Sequence, residues 1–244
     1  MKTISLGRNP APNVVLGLMR IQDKTDDEVR ELIVAARDAG IDFFDHADVY
    51  GSDLHGCERR FAEAMRLTPA QREASGKVRA FGVSNHTPRQ IDLLRSAVSQ
   101  PIVANQLQLS ITHAPIVVQG LAGNMQGVDQ SVVLDGGGIV DYCRLHDITV
   151  QAWSPFQSGF FTGVFLESPE YPELNAVINR LAASYDVPAI AIATAWITRH
   201  PANMQVVLGT TSPERVTGAA LGSDIPLTRA EWYELARAAG HRVP

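Results

Sequence analysis

Residues 13–45 read NVVLGLMRIQDKTDDEVRELIVAARDAGIDFFD and contain a short apolar run, an amphipathic stretch and a second apolar run. The first run, residues 13–18, predicts a buried strand. A capping box begins at Thr25 and predicts the start of a helix, which Gly40 is expected to end. The second run, residues 41–45, predicts the next strand. This order indicates two parallel strands joined by a right-handed crossover.

The same alternation continues to the end of the chain, with further capping boxes at Thr87 and Thr228. Four more strands are predicted at residues 78–83, 102–107, 148–153 and 205–208. Further helices are predicted at residues 57–65, 138–146, 173–185 and 189–199, and after Thr87, Ser212 and Thr228.

The predicted strands are apolar on both faces, as in a parallel sheet that helices cover on both sides. An open doubly wound sheet and a closed barrel both fit this pattern. The open dinucleotide-binding form carries G-x-G-x-x-G after its first strand, and the sequence has no such motif. Residues 115–137 show the weakest pattern and are expected to form a long loop after the fourth strand.

The composition of the 244 residues is that of a soluble globular protein, with 45% hydrophobic and 19% charged residues. A net charge of −5 gives no electrostatic basis for a nucleic-acid or acidic-membrane partner. Cys57 and Cys143 show no metal-binding spacing, so we expect neither a disulfide framework nor a metal. No apolar run reaches 18 residues and the first 15 residues lack an apolar core, so the cytoplasm is the expected compartment.

Polar and aromatic side chains follow the predicted strands, where a βα barrel places its functional groups. The helix after Ser212 begins beside three hydroxyl groups and Arg215, which together suit a phosphate group. The simpler alternative is that Ser212 only caps the helix and Arg215 is solvated. Trp153 either stacks on a flat ring or belongs to the core, and Tyr50 either exchanges protons or packs. The residues in question lie in segments 45–51, 84–86, 105–106, 153–156 and 209–215.

Taken in order, these segments resemble the strand signatures of the aldo-keto reductase family. The stretch IDFFDHADVYG (residues 41–51) resembles the second-strand signature, and GKVRAFGVSN (76–85) the fifth. NQLQLS (105–110) resembles the sixth, and QAWSPF (151–156) the seventh, which usually has Tyr where Trp153 stands. VVLGTTSPERV (206–216) resembles the eighth-strand cofactor signature.

The resemblance implies a (β/α)₈ barrel of the TIM type that binds NADPH and reduces aldehydes or ketones, small-molecule carbonyl substrates. Tyr50 would be the proton donor and Asp45 part of its supporting tetrad. The cofactor site implied by the family would hold the nicotinamide carboxamide and ring, then the pyrophosphate, then the adenosine 2′-phosphate. The nicotinamide carboxamide and ring would be held by Ser84, Asn85, Gln106 and Trp153. The pyrophosphate would lie along Ser154, Pro155 and Phe156. The 2′-phosphate would be held in the segment of Gly209, Thr210, Thr211, Ser212 and Arg215. Gly209 stands where many members place a lysine.

The chain departs from the family by having six predicted strands instead of eight. We therefore expect a single barrel domain over residues 1–244 with an internal deletion near residues 73–75, which removes the third and fourth βα units, about 60 residues. The removed strands carry the catalytic Lys and His of the family. The remaining lysines are Lys2, Lys24 and Lys77, and none is well placed to reach Tyr50.

A phenol has an ordinary pKa of about 10, and a nearby cation favours its ionised form. Without that lysine, Asp45 would instead raise the pKa of Tyr50, so poor carbonyl reduction is expected. Two alternatives follow for the function: a catalytically silent NADP-binding module, or an internally deleted copy without a function. The sequence leaves the carbonyl substrate and the oligomeric state open.

Overall fold

A computed structural model of the chain describes residues 1–67, 80–121, 138–159 and 162–243. The strands are β1 (Thr3–Leu6), β2 (Asn9–Pro12), β3 (Val14–Gly17), β4 (Phe44–Asp45), β5 (Phe81–Ser84), β6 (Ile102–Gln108), β7 (Thr149–Trp153) and β8 (Gln205–Leu208). The α-helices are α1 (Asp26–Asp38), α2 (Gly56–Ala64), α3 (Pro88–Ala97), α4 (Pro115–Leu121), α5 (Ile139–Leu145), α6 (Pro172–Tyr185), α7 (Ala189–Thr198), α8 (Pro213–Ala220) and α9 (Arg229–Ala238). A short 3-10 helix, Leu221–Ser223, follows α8.

Six of the strands form one sheet in the order β4-β3-β8-β7-β6-β5, and every neighbouring pair in it is parallel. The sheet curls into a half-barrel, so that Gln106 on β6 donates a hydrogen bond of 3.0 Å to Asp45 on β4, although three strands lie between β4 and β6 in the sheet. The predicted class, an incomplete parallel TIM-type barrel with six strands, is confirmed.

The predicted capping boxes start three of the helices. Thr25, Thr87 and Thr228 each accept from the backbone N–H three residues later, and the side chain at that position bonds back to the threonine N–H. Each box satisfies N–H groups that a helix start would otherwise leave unpaired. Local side-chain chemistry therefore sets where α1, α3 and α9 begin.

The core lies between the sheet and the helices. Strands β3 and β8 are buried along their whole length, and eight of the ten residues of α7 are buried. Trp196 and Trp232 stack with centroids 4.8 Å apart, and each indole N–H donates to the backbone carbonyl of the other residue. This pair joins α7 to α9 on the outside of the half-barrel.

Strands β1 and β2 form an antiparallel hairpin that the sequence analysis did not predict. It packs under the N-terminal ends of the parallel strands, where Thr149 donates to the carbonyl of Ser5 at 2.9 Å and Gln205 donates to that of Pro12 at 2.5 Å. The hairpin closes the end of the half-barrel opposite to the ends of the strands that carry the candidate site.

Three expectations were wrong in part. Residues 115–121 form helix α4 instead of a loop. Strand β4 covers two residues instead of residues 41–45. Strand β5 is not apolar and buried on both faces, since Phe81 is 45% exposed and only Val83 of its four residues is partly buried. Among the described residues β5 pairs with β6 alone, so its side chains have a neighbouring strand to pack against on one side only.

Several expectations lie outside the described residues: the start of the third predicted strand at residues 78–79, the deletion near residues 73–75, Lys77, and the rest of the predicted loop, residues 122–137. Within the described parts of the chain, no single helix is long and apolar enough to cross a membrane. The pair α6 and α7 passes that test together by length and composition, but the two helices are bent by 94° at the break between them.

Candidate active site

The predicted site residues lie in the last residues of five parallel strands, β4 to β8, or directly after them, and therefore lie at one end of the half-barrel. Trp153 is the last residue of β7, and the segment 209–215 follows β8, the neighbouring strand. The structure thus brings the two halves of the expected cofactor site to the same edge of the sheet.

Asp45 lies at the centre of the candidate site. Its Oδ2 atom accepts a hydrogen bond of 3.0 Å from the Tyr50 hydroxyl, and its Oδ1 atom accepts one of 3.0 Å from Nε2 of Gln106. The loop that carries Tyr50 is held by backbone hydrogen bonds to Ala47 and Cys57. One carboxylate therefore joins the candidate proton donor to a candidate cofactor-binding amide.

Burial and the neighbouring Asp45 carboxylate raise the pKa of Tyr50 far above its ordinary value of 10. Burial is the larger cause, because the phenolate is poorly solvated there, and the negative charge of Asp45 adds to it. No cation among the described residues counteracts this shift. The Tyr50 phenol is thus held in its protonated form.

The two lysines of the described part of the chain lie away from Tyr50. The Nζ atom of Lys24 forms an ion pair of 2.8 Å with Glu28 at the start of α1. The backbone of Lys2 bonds to Asn13 and Ser223, at the end of the half-barrel that the hairpin closes. Neither lysine is among the groups that shift the pKa of Tyr50.

The residues after β5 contact those of β6 and β7. Trp153 Nε1–H donates to Oδ1 of Asn85 at 3.2 Å. The Ser84 hydroxyl donates to the backbone carbonyl of Gln106 at 3.1 Å, and the Asn85 N–H donates to the same carbonyl at 2.9 Å. Asn85 has a φ of 54°, a left-handed conformation that Asn tolerates better than most residues. These contacts bring four predicted cofactor residues together.

The segment after β8 forms the start of helix α8. Ser212 caps the helix by accepting from the backbone N–H of Arg215 at 3.3 Å, and the Ser212 N–H donates to Oγ1 of Thr210 at 3.2 Å. Ser212 therefore caps the helix, and this bond agrees both with a simple cap and with a phosphate site at the helix start. The side chain of Arg215 is exposed, and a Cβ atom at Gly209 would meet nothing within 4 Å. This leaves open space at the place where many family members carry a lysine.

The segment after β7 turns sharply. Ser154 has a φ of 52°, and its carbonyl accepts from the N–H of Gln157 at 3.1 Å. The carbonyl of Phe156 accepts from the N–H of Phe165 at 3.1 Å. Ser154, Pro155 and Phe156 thereby form a tight turn at the mouth of the half-barrel, the end at which the parallel strands finish, and they follow β7, the strand paired with β8.

His46 and His86, which follow β4 and β5, have structural contacts. The His46 ring packs edge-on against Phe61 of α2, with centroids 5.1 Å apart, and burial lowers the pKa of His46. The His86 ring bonds to the carbonyl of Ser84 at 2.8 Å, and the His86 carbonyl accepts from the side chain of Asn105. Both rings are therefore held by the scaffold.

The sequence analysis missed a cavity of about 400 Å³ beside this mouth. Its wall includes Gln108, whose buried Nε2 atom has no hydrogen-bond partner among the described residues. The amide pattern N-Q-L-Q of residues 105–108 was the available signal, but it does not say which amide is paired. The other residues that line the cavity are Asn85, His86, Thr87, Leu107, His113, Pro115, Ile116, Ile139 and Trp153.

Among the described residues, no group of three or more His, Cys, Asp or Glu side chains could hold a metal ion.

The fold and the site define a βα-barrel protein with a phenol, a carboxylate and amides at the C-terminal ends of its strands. The chain belongs to the Aldo/keto reductase family, whose family model matches residues 64–239. It is 33% identical over 163 residues to a 6-dehydroglucose reductase of Agrobacterium fabrum. That alignment covers 66% of this chain and 47% of the relative, so it spans about half of the relative's length.

A second relative, the oxidoreductase YdhF of Escherichia coli, is 24% identical over 304 positions, which cover 94% of each chain. Solved structures share the fold at low identity. The aldo-keto reductase of Bombyx mori in complex with NADP matches with a TM-score of 0.65 and 19% identity, covering 100% of this chain and 94% of that one. The glycerol dehydrogenase of Gluconobacter oxydans matches with a TM-score of 0.71 and 18% identity, covering 98% and 95%.

Proposed function

We propose that this chain binds NADP(H) at the C-terminal ends of β5 to β8 and is an oxidoreductase that reduces aldehydes or ketones to alcohols. The observation that carries the proposal is the Asp45 carboxylate, which bonds to Tyr50 on one side and Gln106 on the other. These are a phenol that can protonate an oxygen and an amide beside the expected nicotinamide.

The donor set of the site fits this cofactor. Asn85 and Gln106 keep amide atoms with no hydrogen-bond partner among the described residues, which suits a carboxamide group. Trp153 supplies a flat ring, and the turn at residues 154–156 would follow the pyrophosphate. Thr210, Thr211, Ser212 and Arg215 would hold the 2′-phosphate, because hydroxyl groups, a helix start and a guanidinium all favour an anion.

The bound cofactor would supply a hydride to the carbonyl carbon. The chain's own part is to hold the substrate oxygen near the Tyr50 hydroxyl and to give that oxygen a proton. The Tyr50 proton is retained strongly, because burial and the Asp45 anion both oppose the phenolate. Proton transfer would leave a deprotonated Tyr50 phenol beside the negatively charged Asp45 carboxylate. This arrangement is unfavourable, so turnover is expected to be slow.

That same observation favours a second candidate function, a catalytically silent NADP-binding module. The phenol is paired with an anion, and the described lysines lie elsewhere. Binding of the cofactor needs neither the Lys nor the His of the family tetrad, so the affinity for NADP(H) would survive a loss of turnover. The third alternative, a copy without function, would bind no cofactor.

We also propose that the chain is one domain that lacks two βα units. The alignment with YdhF runs over 304 positions, whereas this chain has 244 residues, so at least 60 of those positions have no residue here. This excess is close to two units of about 30 residues each. Two edge strands, β4 and β5, at the ends of the sheet agree with units missing between them.

Calorimetric titration with NADPH, followed by turnover of a panel of aldehydes and ketones, tests the proposal. Turnover above that of a Tyr50→Phe variant supports the oxidoreductase. Binding of NADPH with turnover no higher than in Tyr50→Phe supports the silent module instead. Absence of NADPH binding would overturn both functions.

A further inference from the structure

Two amide side chains at the mouth are oriented by neighbours that can hydrogen-bond in one direction only. The indole N–H of Trp153 is a donor, so the atom of Asn85 that it meets at 3.2 Å is the oxygen Oδ1. The carboxylate of Asp45 is an acceptor, so the atom of Gln106 that it meets at 3.0 Å is the nitrogen Nε2. Both amide orientations are thereby decided by chemistry, although amide oxygen and nitrogen are otherwise easily exchanged.

These two contacts determine what the amides offer to a ligand. Asn85 is left with its two Nδ2–H donors, and Gln106 is left with its Oε1 acceptor. The Ser84 hydroxyl donates its hydrogen bond to the backbone carbonyl of Gln106, so its oxygen can act only as an acceptor towards a ligand. Ser84 and Gln106 are register partners on β5 and β6, and Asn85 follows Ser84 directly. The residue that offers the donors and the two residues that offer acceptors are therefore neighbours, and both Ser84 and Asn85 bond to the Gln106 carbonyl.

We infer that Trp153 and Asp45 are positioning residues that make this site selective for an uncharged primary carboxamide. The carboxamide oxygen would face Nδ2 of Asn85, and its NH₂ group would face Gln106 and Ser84. The inference rests on the proposed function, since the carboxamide is that of NADP(H). A carboxylate in the same place would put a negative charge against the acceptor of Gln106 and close to Asp45.

A tyrosine at position 153 would not fix the orientation of the Asn85 amide as the tryptophan does. A tyrosine hydroxyl both donates and accepts, so it would leave Asn85 free to take either orientation. The indole can only donate. Trp153 thus adds to its flat ring a second property, the fixed orientation of Asn85, which a phenol would not supply.

The first experiment compares the dissociation constants of three oxidised nucleotides by calorimetry on the unsubstituted chain. They are NADP⁺, its nicotinic acid analogue with a carboxylate, and its 3-acetylpyridine analogue, in which a methyl group replaces the NH₂ group. We expect NADP⁺ to bind about tenfold more tightly than the acetyl analogue, because one or two acceptors lose their partner. The acid analogue should bind more weakly still. Equal affinities for all three would overturn the inference, whereas no binding of NADP⁺ would overturn the proposed function itself.

A double-mutant cycle then tests whether Asp45 acts through Gln106. With asparagine at position 45, the Gln106 amide is free to turn its NH₂ group towards the ligand. The preference is the dissociation constant of the acid analogue divided by that of NADP⁺. Asp45→Asn is therefore expected to reduce this ratio about tenfold. In a Gln106→Met background the same substitution should change that preference little. An equal narrowing in both backgrounds would show that the charge of Asp45 acts directly, and would overturn the role of Asp45.

A second cycle tests Trp153 through Asn85. Asn85→Asp keeps the shape and tolerates the positive φ, but replaces the donors by an acceptor. It should weaken NADP⁺ binding tenfold or more in the unsubstituted chain. In a Trp153→Phe background, where Asn85 is free to turn over, the loss should be several-fold smaller. Equal losses would overturn the role of Trp153. Melting curves of each variant separate lost folding from lost binding. If a variant does not fold, the three-nucleotide comparison on the unsubstituted chain still tests the selectivity for the carboxamide, and the other cycle still tests its own positioning residue.

Discussion

The Tyr50 hydroxyl donates a hydrogen bond of 3.0 Å to Oδ2 of Asp45, and this contact pairs the candidate proton donor with an anion. A phenol beside a cation loses its proton more easily, whereas a phenol beside an anion keeps it. The same carboxylate also holds Gln106. In this chain Asp45 therefore links the ionisation of the candidate proton donor to the orientation of a candidate cofactor-binding amide.

We expect Asp45→Asn to lower the pKa of Tyr50, because it removes the negative charge that opposes the phenolate. Burial would keep the pKa of Tyr50 above its ordinary value of 10 in the variant. The pKa is measured from the ultraviolet absorbance of tyrosinate, as the difference from a Tyr50→Phe version of each chain. Asp42→Asn, a change at an exposed carboxylate on the same segment, is the control and should leave the titration unchanged. An unchanged titration in Asp45→Asn would contradict the coupling.

A cation at position 209 should strengthen the binding of NADPH. Gly209 has open space where a side chain would begin, and many family members carry a lysine there. Gly209→Lys is expected to lower the dissociation constant of NADPH severalfold at low salt, and the gain should shrink as ionic strength rises. Gly209→Gln adds an uncharged polar side chain that is one atom shorter than that of lysine, and it should give no such gain. A salt-independent gain would mean that packing, rather than charge, is responsible.

Removal of the Arg215 guanidinium should change the preference between the two nicotinamide nucleotides. Arg215→Gln is expected to weaken NADPH binding about tenfold, because a charge-assisted pair with the 2′-phosphate is lost. NADH has no such phosphate, so its affinity should stay the same and serves as the internal control. Parallel titrations with both nucleotides give the measurement. An equal loss for NADH would place Arg215 outside the phosphate site.

The parts of the fold that local chemistry decides could be predicted from the sequence. The capping boxes at Thr25, Thr87 and Thr228 place three helix starts, because each box forms within four residues of chain. The β1–β2 hairpin could not be found this way. Its second strand reads NPAP, and the prolines hide the strand pattern. Its place depends on bonds to Thr149 and Gln205, far away in the chain.

The candidate site also has features that the sequence predicts and features that it does not. Its residues could be named from their positions after the strands, because the ends of parallel strands meet at one edge. The Asp45–Gln106 contact could not, since it depends on how far the sheet curls. The pattern of helix α4, PIVVQGL, also gave no signal, because it carries β-branched residues and a glycine and is stabilised by packing.

The close approach of the 3-10 helix to α7 predicts a large loss of stability in Gly222→Ala. A Cβ atom at Gly222 would lie 2.2 Å from the carbonyl oxygen of Ala191, so the two helices would have to separate. We expect the free energy of unfolding to fall by about 2 kcal/mol or more. Gly209→Ala, where the new Cβ meets nothing within 4 Å, should change it by less than about 0.5 kcal/mol. Urea unfolding of both variants compares them, and similar losses would contradict this reading of the contact.

The last prediction concerns His200, which follows α7. Its Nδ1 atom accepts a hydrogen bond of 3.2 Å from the N–H of Ala202, which requires an unprotonated nitrogen. Burial, followed by the nearby Arg144, lowers the pKa of His200 from its ordinary 6.5 to about 4, although Asp141 opposes the change. The folded protein therefore favours the neutral ring.

The sign of the pH dependence follows from these values. The unfolded chain takes up the proton near pH 6.5 and the folded chain only near pH 4, so acid favours unfolding. The contribution of His200 to stability is complete above pH 6.5 and is lost as the pH falls towards 4, by up to about 3 kcal/mol. In His200→Gln the free energy of unfolding should fall less steeply over this range. Urea unfolding at several pH values measures the difference, with His146→Gln, at an exposed ring, as the control. An equally steep fall in His200→Gln would assign the acid sensitivity to other groups.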